Sequence, residues 1–362
     1  MLTPKKGVRI EVTTTKTTRR YAVLSSAEEM WGAEWSLLSL LEARDVRDGV
    51  VELTLFARSN ELLERWESRG QPAHQIGKGL RGMLATRRIV ASQTEFDAAI
   101  FFSLDLLPVA WTLPRRCLIV CDFHDYLPRR VGRIKLWLLG ARVKLFISVS
   151  DFTSRQLVPH QRDRSCTLYR PGPQPQSERP ESLSHSRTVG ILGRLDRDKN
   201  IECVIEALQG VPELDLIIRG ASFESNESYV QELNGLINTL LDGRARILEA
   251  GSPDTIYDGL LAVIVARPTE PLGRTILEAS SFGIPCVVPH TGGPPELVTH
   301  EVDGLIYTAN SSESLAKELK RLLSRDFAQA LGREARVAAQ GRMSPTEYAN
   351  SYIKLVTSGA VL

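Results

Sequence analysis

The sequence predicts an α/β protein of two doubly wound parallel sheets, one in each half of the chain, that face a cleft. Three observations lead to this fold class. The 362 residues are enough for two domains. In both halves, short β-branched or apolar runs alternate with segments of helical periodicity. Between the halves, Tyr169–Arg187 contains four prolines and several serines and has the composition of a linker.

The first half contains a series of predicted strands and one well-marked helix. The helix, Trp35–Ala43, is predicted because its leucines form an apolar stripe of helical period. Residues 1–19 are polar and threonine-rich, so we expect a loose arm, or a hairpin at most. The predicted strands are Tyr21–Leu24, Val50–Phe56, Ala98–Phe102, Cys117–Cys121 and Leu145–Val149.

The second half repeats the alternation. We expect domains over residues 1–170 and 188–345, a linker over 171–187, and a separate C-terminal segment over 346–362. Ligands of such folds bind at the carboxyl ends of the strands, so the strand-to-helix loops are the places to look for chemistry. The predicted elements are the strands Thr188–Leu192, Leu214–Arg219, Ala245–Leu248, Leu261–Ala266 and Cys286–Val288, and the helices Ile201–Leu208 and Tyr229–Leu241.

The composition excludes several classes of protein. With 43% hydrophobic and 24% charged residues, the chain is neither disordered nor fibrous. Apolar runs such as Leu260–Ala266 are shorter than the roughly 18 residues of a membrane span. The basic N-terminus is followed by no apolar stretch of a secretion signal, so we expect a cytoplasmic location. The five cysteines are odd in number and lack CxxC spacing, so we expect no zinc site.

Charge is distributed unevenly between the halves. Residues 1–170 contain 27 basic and 18 acidic side chains, whereas residues 171–362 contain 18 and 25. A basic half indicates either an anionic partner or simply a solvated surface, and both interpretations are open at this point. Nucleic acid is the least favoured partner, because the basic half lacks interleaved aromatic residues.

The first loop of chemical interest is Gly193–Asn200, between a predicted strand and helix. Arg194 and Lys199 lie near a helix N-terminus, where free amides and the helix dipole already favour a diphosphate. Alternatively, both cations pair with Asp196 and Asp198 in a solvated turn. Asp196 and Asp198 also form a DxD pattern that could hold Mg²⁺, but such a short pattern is common by chance, and we expect no metal.

The second loop, Arg267–Arg274, leads into a helix predicted over Thr275–Phe282. Glu270 follows a strand end and Glu278 lies about one turn inside the helix, so both carboxylates can face one pocket and bind the hydroxyls of a sugar nucleotide. The amides of Leu272 and Gly273 can bind phosphate oxygens. Taken by itself, this pair of glutamates is more typical of a solvated helix residue and a neighbour of a helix N-cap. The third loop, His290–Glu296, has a glycine pair that permits a tight turn and decides nothing alone.

In this order, the segments GRLDRDKN, EPLGRTILEASSFGIPCVV, HTGGPPELV and DGLIY resemble the family-four retaining glycosyltransferases, over about residues 188–310. That family has two Rossmann-like domains in the arrangement called GT-B. The resemblance implies that Glu270 and Glu278 form the family's E-x7-E signature, and that Arg194 and Lys199 hold the donor diphosphate.

The resemblance of the first half is weaker. Trp31–Glu34 resembles the family's Gly-Gly-x-Glu loop, which places Gly32 at the donor site. Cys121–Asp125 resembles its His-Asp loop beside the transferred sugar, which makes His124 a catalytic candidate. Three departures are present: Trp31 stands where the first glycine is usual, Leu272 replaces a common phenylalanine, and Pro171-Gly172-Pro173 replaces Asn-Gly-Val.

The resemblance implies a retaining transfer of a sugar from a UDP- or GDP-sugar to a glycan, lipid-linked or small-molecule acceptor, as in polysaccharide or glycoconjugate biosynthesis. No metal or cofactor is expected. Glu270 would orient sugar hydroxyls, Glu278 would hold the ribose, and the C-terminal helix near Tyr348–Leu355 would cross back to the first domain. Two alternatives are a nucleotide-sugar epimerase or hydrolase of the same fold and a catalytically inactive partner subunit.

A basic segment of the first half suggests a membrane partner. Residues 126–150 contain no acidic side chain, and an apolar stretch, Leu136–Leu139, lies among their basic residues. Either this stretch is buried in the core, or the segment lies on an anionic membrane near the acceptor. The basic residues are Arg129, Arg130, Arg133, Lys135, Arg142 and Lys144.

Overall fold

The computed structural model describes residues 18–30, 32–92, 95–127, 131–173, 186–220, 227–251 and 255–359. The expected arm over residues 1–19 lies almost wholly outside these ranges, as do Trp31 and residues 174–185 of the expected linker. Within the described ranges, no helix has the length and apolar character needed to cross a membrane.

The N-terminal half forms a seven-stranded parallel sheet in the order β3-β2-β1-β4-β5-β6-β7. Its central strands are buried on both sides, as expected when helices cover both faces of a parallel sheet. The strands are β1 (Arg19–Ser25), β2 (Val51–Ala57), β3 (Ala73–Gln75), β4 (Ala98–Phe101), β5 (Leu118–Phe123), β6 (Leu145–Ser148) and β7 (Ser165–Thr167). The helices are α1 (Gly32–Leu38), α2 (Arg44–Arg47), α3 (Asn60–Glu67), α4 (Gly79–Ser92), α5 (Val131–Leu139), α6 (Asp151–Ser154) and α7 (Pro159–Arg162).

The C-terminal half forms a six-stranded parallel sheet in the order β10-β9-β8-β11-β12-β13. The strands are β8 (Thr188–Leu192), β9 (Asp215–Arg219), β10 (Ala245–Leu248), β11 (Leu260–Ile264), β12 (Cys286–Pro289) and β13 (Gly304–Tyr307). The helices are α8 (Ile201–Gln209), α9 (Glu227–Leu240), α10 (Arg274–Ser281), α11 (Ser312–Arg321), α12 (Arg325–Gln340) and α13 (Pro345–Gly359). Short 3₁₀ segments occupy Ser39–Glu42, Leu104–Thr112, Gly140–Arg142, Arg197–Lys199 and Pro294–Glu296.

The predicted fold class is confirmed, and each predicted strand is present within a few residues of its expected bounds. The helix predicted over Trp35–Ala43 was placed too late. It begins at Gly32 and tightens into the 3₁₀ segment Ser39–Glu42 before it ends at Ala43. The strands β3, β7 and β13 were missed, because three- and four-residue edge strands have too little alternation to detect.

Helix α13 follows the second sheet in the chain but packs in the core of the first. Its side chains Tyr348, Tyr352 and Val356 lie in one apolar cluster with residues of β1 and β2. The hydroxyls of Tyr21 and Thr357 are 2.9 Å apart and add a polar contact to this docking. Tyr348 of α13 also contacts Arg170, which lines the cleft described below.

Candidate functional site

The two sheets meet at a cleft that contains two adjoining cavities of ≈ 620 and ≈ 230 Å³. Loops that follow the carboxyl ends of strands in both sheets line it, as expected for parallel α/β folds. Each of the eight predicted site residues lines one or both cavities. These residues are Gly32 and His124 from the first half, and Arg194, Lys199, Glu270, Leu272, Gly273 and Glu278 from the second.

The cations of the first loop form ion pairs with nearby carboxylates. Arg194 lies 3.1 Å from Asp196, which is one of the two pairs that a solvated turn would contain. Lys199 instead lies 3.0 Å from Glu270 of the second loop, and Asp198 lies 2.8 Å from Arg267. Lys199 and Glu270 are both largely buried, so this loop is part of the cleft wall and more than a solvated turn.

The second loop enters α10 through Gly273. This residue has a φ of 103°, a left-handed conformation that favours glycine. Glu278, one turn into α10, accepts hydrogen bonds from Arg274 Nε at 2.5 Å and from the Tyr257 hydroxyl at 2.6 Å. Burial and the Glu278 carboxylate raise the pKa of Tyr257 well above its ordinary value. The solvated-helix interpretation of Glu278 is therefore wrong, because its carboxylate is held in a fixed position.

The side chain of Leu272 has a packing role. It is buried in a small apolar cluster with Val149 of the first half and Leu277 of α10. Leu272 thus helps to join the two halves at the edge of the cleft, while its position in the loop still borders the larger cavity.

The third loop supports the second one. The Gly293 amide donates a 2.8 Å hydrogen bond to the Glu270 carbonyl, and a Cβ at Gly293 would lie 2.1 Å from the Pro271 carbonyl oxygen. Only glycine fits this approach. At the end of the loop, the Glu296 carboxylate accepts hydrogen bonds from the amides of Asp151 and Phe152, at 2.8 and 2.7 Å, and so caps α6 of the other half. The sequence alone did not identify this contact.

His124 follows β5 and faces the cleft from the first half. Its Nδ1 lies 2.8 Å from Oδ1 of the fully buried Asp122. Arg170 donates to both Asp122 oxygens, at 3.0 and 2.5 Å, and to the hydroxyl of Tyr348 in α13. The guanidinium also stacks over the ring of Phe102 at 5.4 Å.

These contacts determine the charges behind His124. Burial alone would raise the pKa of Asp122, but Arg170 and His124 outweigh burial and the pKa is lowered, so the carboxylate stays ionised. Burial alone would lower the pKa of His124, but Asp125 and Asp122 outweigh it and the pKa is raised. Because the ionised Asp122 accepts from Nδ1, we assign Nε2 as the ring nitrogen available to a ligand.

Arg170 was missed as a functional residue. We expected it at the last position before the linker, yet it is buried, with 7% of its side chain exposed. Its partner Asp122 is 48 residues away in the chain, so no local spacing signals the pair.

Arg274 reaches across the cleft. Its Nη1 donates a 3.0 Å hydrogen bond to the carbonyl of Gly32, and a Cβ at Gly32 would lie 3.0 Å from Arg274 Cδ. Gly32 therefore lies against Arg274 of the second loop, and the absence of a side chain allows the approach. The role of Arg274 was not recognised in the sequence.

The two aspartates of the DxD pattern each face an arginine, as described above. Across the described ranges, no group of three or more His, Cys, Asp and Glu side chains is arranged to hold a metal ion. Metal independence remains a prediction.

Residues 174–338 match the family described as glycosyl transferases group 1. A glycosyltransferase of Methanocaldococcus jannaschii, itself uncharacterized, is 28% identical over 161 residues, which is 40% of this chain and 40% of that protein. A GDP-mannose-dependent alpha-mannosyltransferase of Corynebacterium glutamicum is 30% identical over 122 residues, 33% of this chain and 27% of that protein. A GDP-mannose-dependent alpha-(1-6)-phosphatidylinositol monomannoside mannosyltransferase of Mycobacterium tuberculosis is 41% identical over 76 residues, 20% of each chain.

Each of these matches spans 40% or less of the relative's own length. The structural matches extend over most of the chain. Anabaena HepE, solved in complex with UDP-glucose, superposes with a TM-score of 0.80 over 94% of this chain and 99% of that one, at 20% sequence identity. Sucrose-phosphate synthase of Thermosynechococcus elongatus superposes with a TM-score of 0.79 over 94% and 98%, at 16% identity. Both likenesses show the fold alone.

Proposed function

We propose that this chain, which belongs to the group 1 glycosyl transferases and has the GT-B fold, moves a sugar from a UDP- or GDP-sugar to an acceptor with retention of anomeric configuration. The observation that carries the proposal is the meeting, in one cleft, of two cations, the carboxylates Glu270 and Glu278, and a facing histidine. A relative that uses GDP-mannose and a similar structure that holds UDP-glucose support a nucleotide-sugar donor.

In this proposal, the second half binds the diphosphate. Arg194 and Lys199 supply charge-assisted hydrogen bonds, and the amide of Gly273 lies at the N-terminus of α10, where the helix dipole favours an anion. Negative charge builds on the diphosphate as the sugar departs. Fixed donors that already face this charge lower the barrier without a metal ion.

The sugar lies between the two halves in this arrangement. Glu270 accepts hydrogen bonds from sugar hydroxyls, and His124 Nε2 contacts the sugar from the opposite wall. The Glu278 carboxylate has two oxygens with two lone pairs each, so it can accept from Arg274, Tyr257 and a ribose diol together. We infer that Arg274 and Tyr257 position Glu278 for the ribose.

The acceptor enters, in this proposal, from the first half. Among the acceptor classes considered, a lipid-linked one is supported by the relative that acts on a phosphatidylinositol monomannoside. A cytoplasmic location is supported by the five cysteines, all of them free thiols, since disulfides are rare in that compartment.

The test is release of nucleoside diphosphate from a panel of UDP-, GDP- and dTDP-sugars. We expect turnover with one donor class, loss of turnover in Glu270→Gln, and normal turnover in the control Glu232→Gln, which changes an exposed, ion-paired glutamate of α9. An epimerised donor as the main product, or free sugar that stays the main product when acceptors are supplied, would identify an epimerase or hydrolase. No turnover or binding of any donor would contradict the proposal.

A further inference from the structure

Helix α5 turns an apolar face outward. Leu136 is buried in the core of the first half, but Ile134, Trp137 and Leu138 are 62%, 55% and 56% exposed. Positions i, i+3 and i+4 share one face of a helix, so these three side chains form a continuous apolar strip. Of the two alternatives, burial of Leu136–Leu139 together in the core is therefore wrong for Trp137 and Leu138.

A second exposed tryptophan belongs to a neighbouring segment. Trp111, 59% exposed, lies near the end of the 3₁₀ segment Leu104–Thr112. Arg142, just after α5, donates hydrogen bonds to the carbonyls of Leu113 and Pro114, at 2.8 and 3.0 Å, and fixes this end beside the helix. Nine large apolar side chains are exposed in the described part of the chain, and four belong to these two segments. We call Trp111, Ile134, Trp137 and Leu138 the α5 patch.

The sequence of the segment that carries α5 is basic. Residues 126–150 contain six basic side chains and no carboxylate, and Lys144 is exposed. A bilayer with anionic lipids has a net negative surface potential, which attracts a segment whose charged side chains are all basic. Tryptophan and aliphatic side chains, together with arginine and lysine, are typical of protein surfaces that lie at the lipid headgroups.

The α5 patch is closely joined to the cleft. The segment between β5 and α5 carries His124 and Asp125, which line the larger cavity. At its end, the Leu127 amide donates a 2.8 Å hydrogen bond to the Gln156 side chain. Gly132 of α5 packs so closely on Leu127 that a Cβ there would lie 2.4 Å from the leucine Cβ. Leu127, which also lines the larger cavity, therefore joins α5 directly to the wall of the cleft.

We propose that the α5 patch lies on an anionic lipid bilayer, with its apolar side chains at the acyl boundary and the net positive charge of residues 126–150 attracting the segment to the lipid surface. This contact holds the acceptor side of the cleft close to the membrane surface. The proposed membrane binding does not depend on the proposed enzyme activity. Its consequence, access to a lipid-linked acceptor, rests on the proposed function.

The test is flotation of the full chain with phosphatidylcholine vesicles, with and without phosphatidylglycerol. We expect binding to the anionic vesicles at low salt, and weaker binding as salt rises. The double variant Ile134→Ser/Trp137→Ser and the triple variant Arg129→Glu/Arg130→Glu/Arg133→Glu should each bind about tenfold more weakly or worse. The control Val337→Ser removes an equally exposed apolar side chain, 57% exposed, from α12 of the other half and should bind as the wild type does.

Three outcomes would overturn the proposal. One is equal recovery with neutral and anionic vesicles at low salt. Another is unchanged vesicle binding by the double variant. The third is a stable dimer of the wild type that the double variant dissociates, because the patch would then bind a second copy of the chain. Donor turnover measured without lipid is independent of all three, so failure here leaves the proposed activity untouched.

Discussion

Replacement of Arg170 by methionine tests the buried contacts behind His124. Arg170 donates to both oxygens of Asp122, and 7% of the arginine and 0% of the aspartate side chain is exposed. Methionine fills part of the space but leaves a buried carboxylate with His124 as its remaining charged partner. Removal of one member of a buried ion pair costs about 3–5 kcal/mol. We expect a loss of this size in the free energy of unfolding.

The matched control is Arg197→Met. Arg197 also donates to both oxygens of a carboxylate, Glu232, at 2.6 and 2.7 Å, and also stacks on an aromatic ring, that of Tyr229, at 4.8 Å. Both partners are more than half exposed, so water replaces the lost bonds. Urea unfolding followed by tryptophan fluorescence should give a much lower midpoint for Arg170→Met than for Arg197→Met. Equal midpoints would refute the reasoning.

The pH dependence gives a second, independent readout. In the wild type the pKa of Asp122 is lowered, so its contribution to stability is present above the pKa of the unfolded chain and is lost as pH falls through the folded pKa. In Arg170→Met, burial is opposed by His124 alone and the pKa of Asp122 rises. Protonation then relieves the buried charge, and the stability difference between wild type and variant should narrow as the pH falls. If the stability difference between wild type and variant does not change with pH, the lost stability comes from side-chain packing and not from the buried charge of Asp122.

Three further predictions concern the donor side of the cleft. Glu270→Ala should raise the activation free energy of transfer by about 2–4 kcal/mol, and so lower kcat, while the chain stays folded. An unchanged kcat would remove Glu270 from the site. Lys199→Ala and Arg194→Ala should each weaken binding of the nucleoside diphosphate in calorimetry as well as slow transfer, because both charges face the phosphates before and during reaction; wild-type affinity in either variant would contradict this. Turnover should persist in EDTA, and a complete loss that Mg²⁺ reverses would restore the metal interpretation of Asp196 and Asp198.

The sequence predicted the candidate site best where the site residues directly follow strands. The glycines, cations and glutamates of the second half follow strands at regular intervals, so parallel topology alone brings them to one edge of the sheet. Contacts that depend on distant parts of the chain were not visible. Arg170 pairs with Asp122 and Tyr348, which are 48 and 178 residues away, and Glu296 caps a helix 144 residues away. Tertiary packing forms these contacts, and no local pattern encodes them.

The sequence left open whether α5 is buried or exposed. A run of four apolar residues, Leu136–Leu139, normally indicates a core segment. The helical repeat sends only part of such a run inward, and here Leu136 is buried while Trp137 and Leu138 are exposed. The sequence contains the run and its basic neighbours, but which face meets the core depends on how α5 packs against the rest of the half.

The ion pairs in the cleft explain how a nearly neutral site can accept an anionic donor. Arg194 is paired with Asp196, and Lys199 with Glu270. The Arg194–Asp196 pair is partly exposed and contributes at most about 1 kcal/mol, so it breaks at little cost, whereas the largely buried Lys199–Glu270 pair must be replaced by contacts of similar strength. A diphosphate offers each cation several oxygens and more than one negative charge. In the proposed reaction Lys199 therefore exchanges Glu270 for phosphate, which frees the Glu270 carboxylate for sugar hydroxyls as the donor binds.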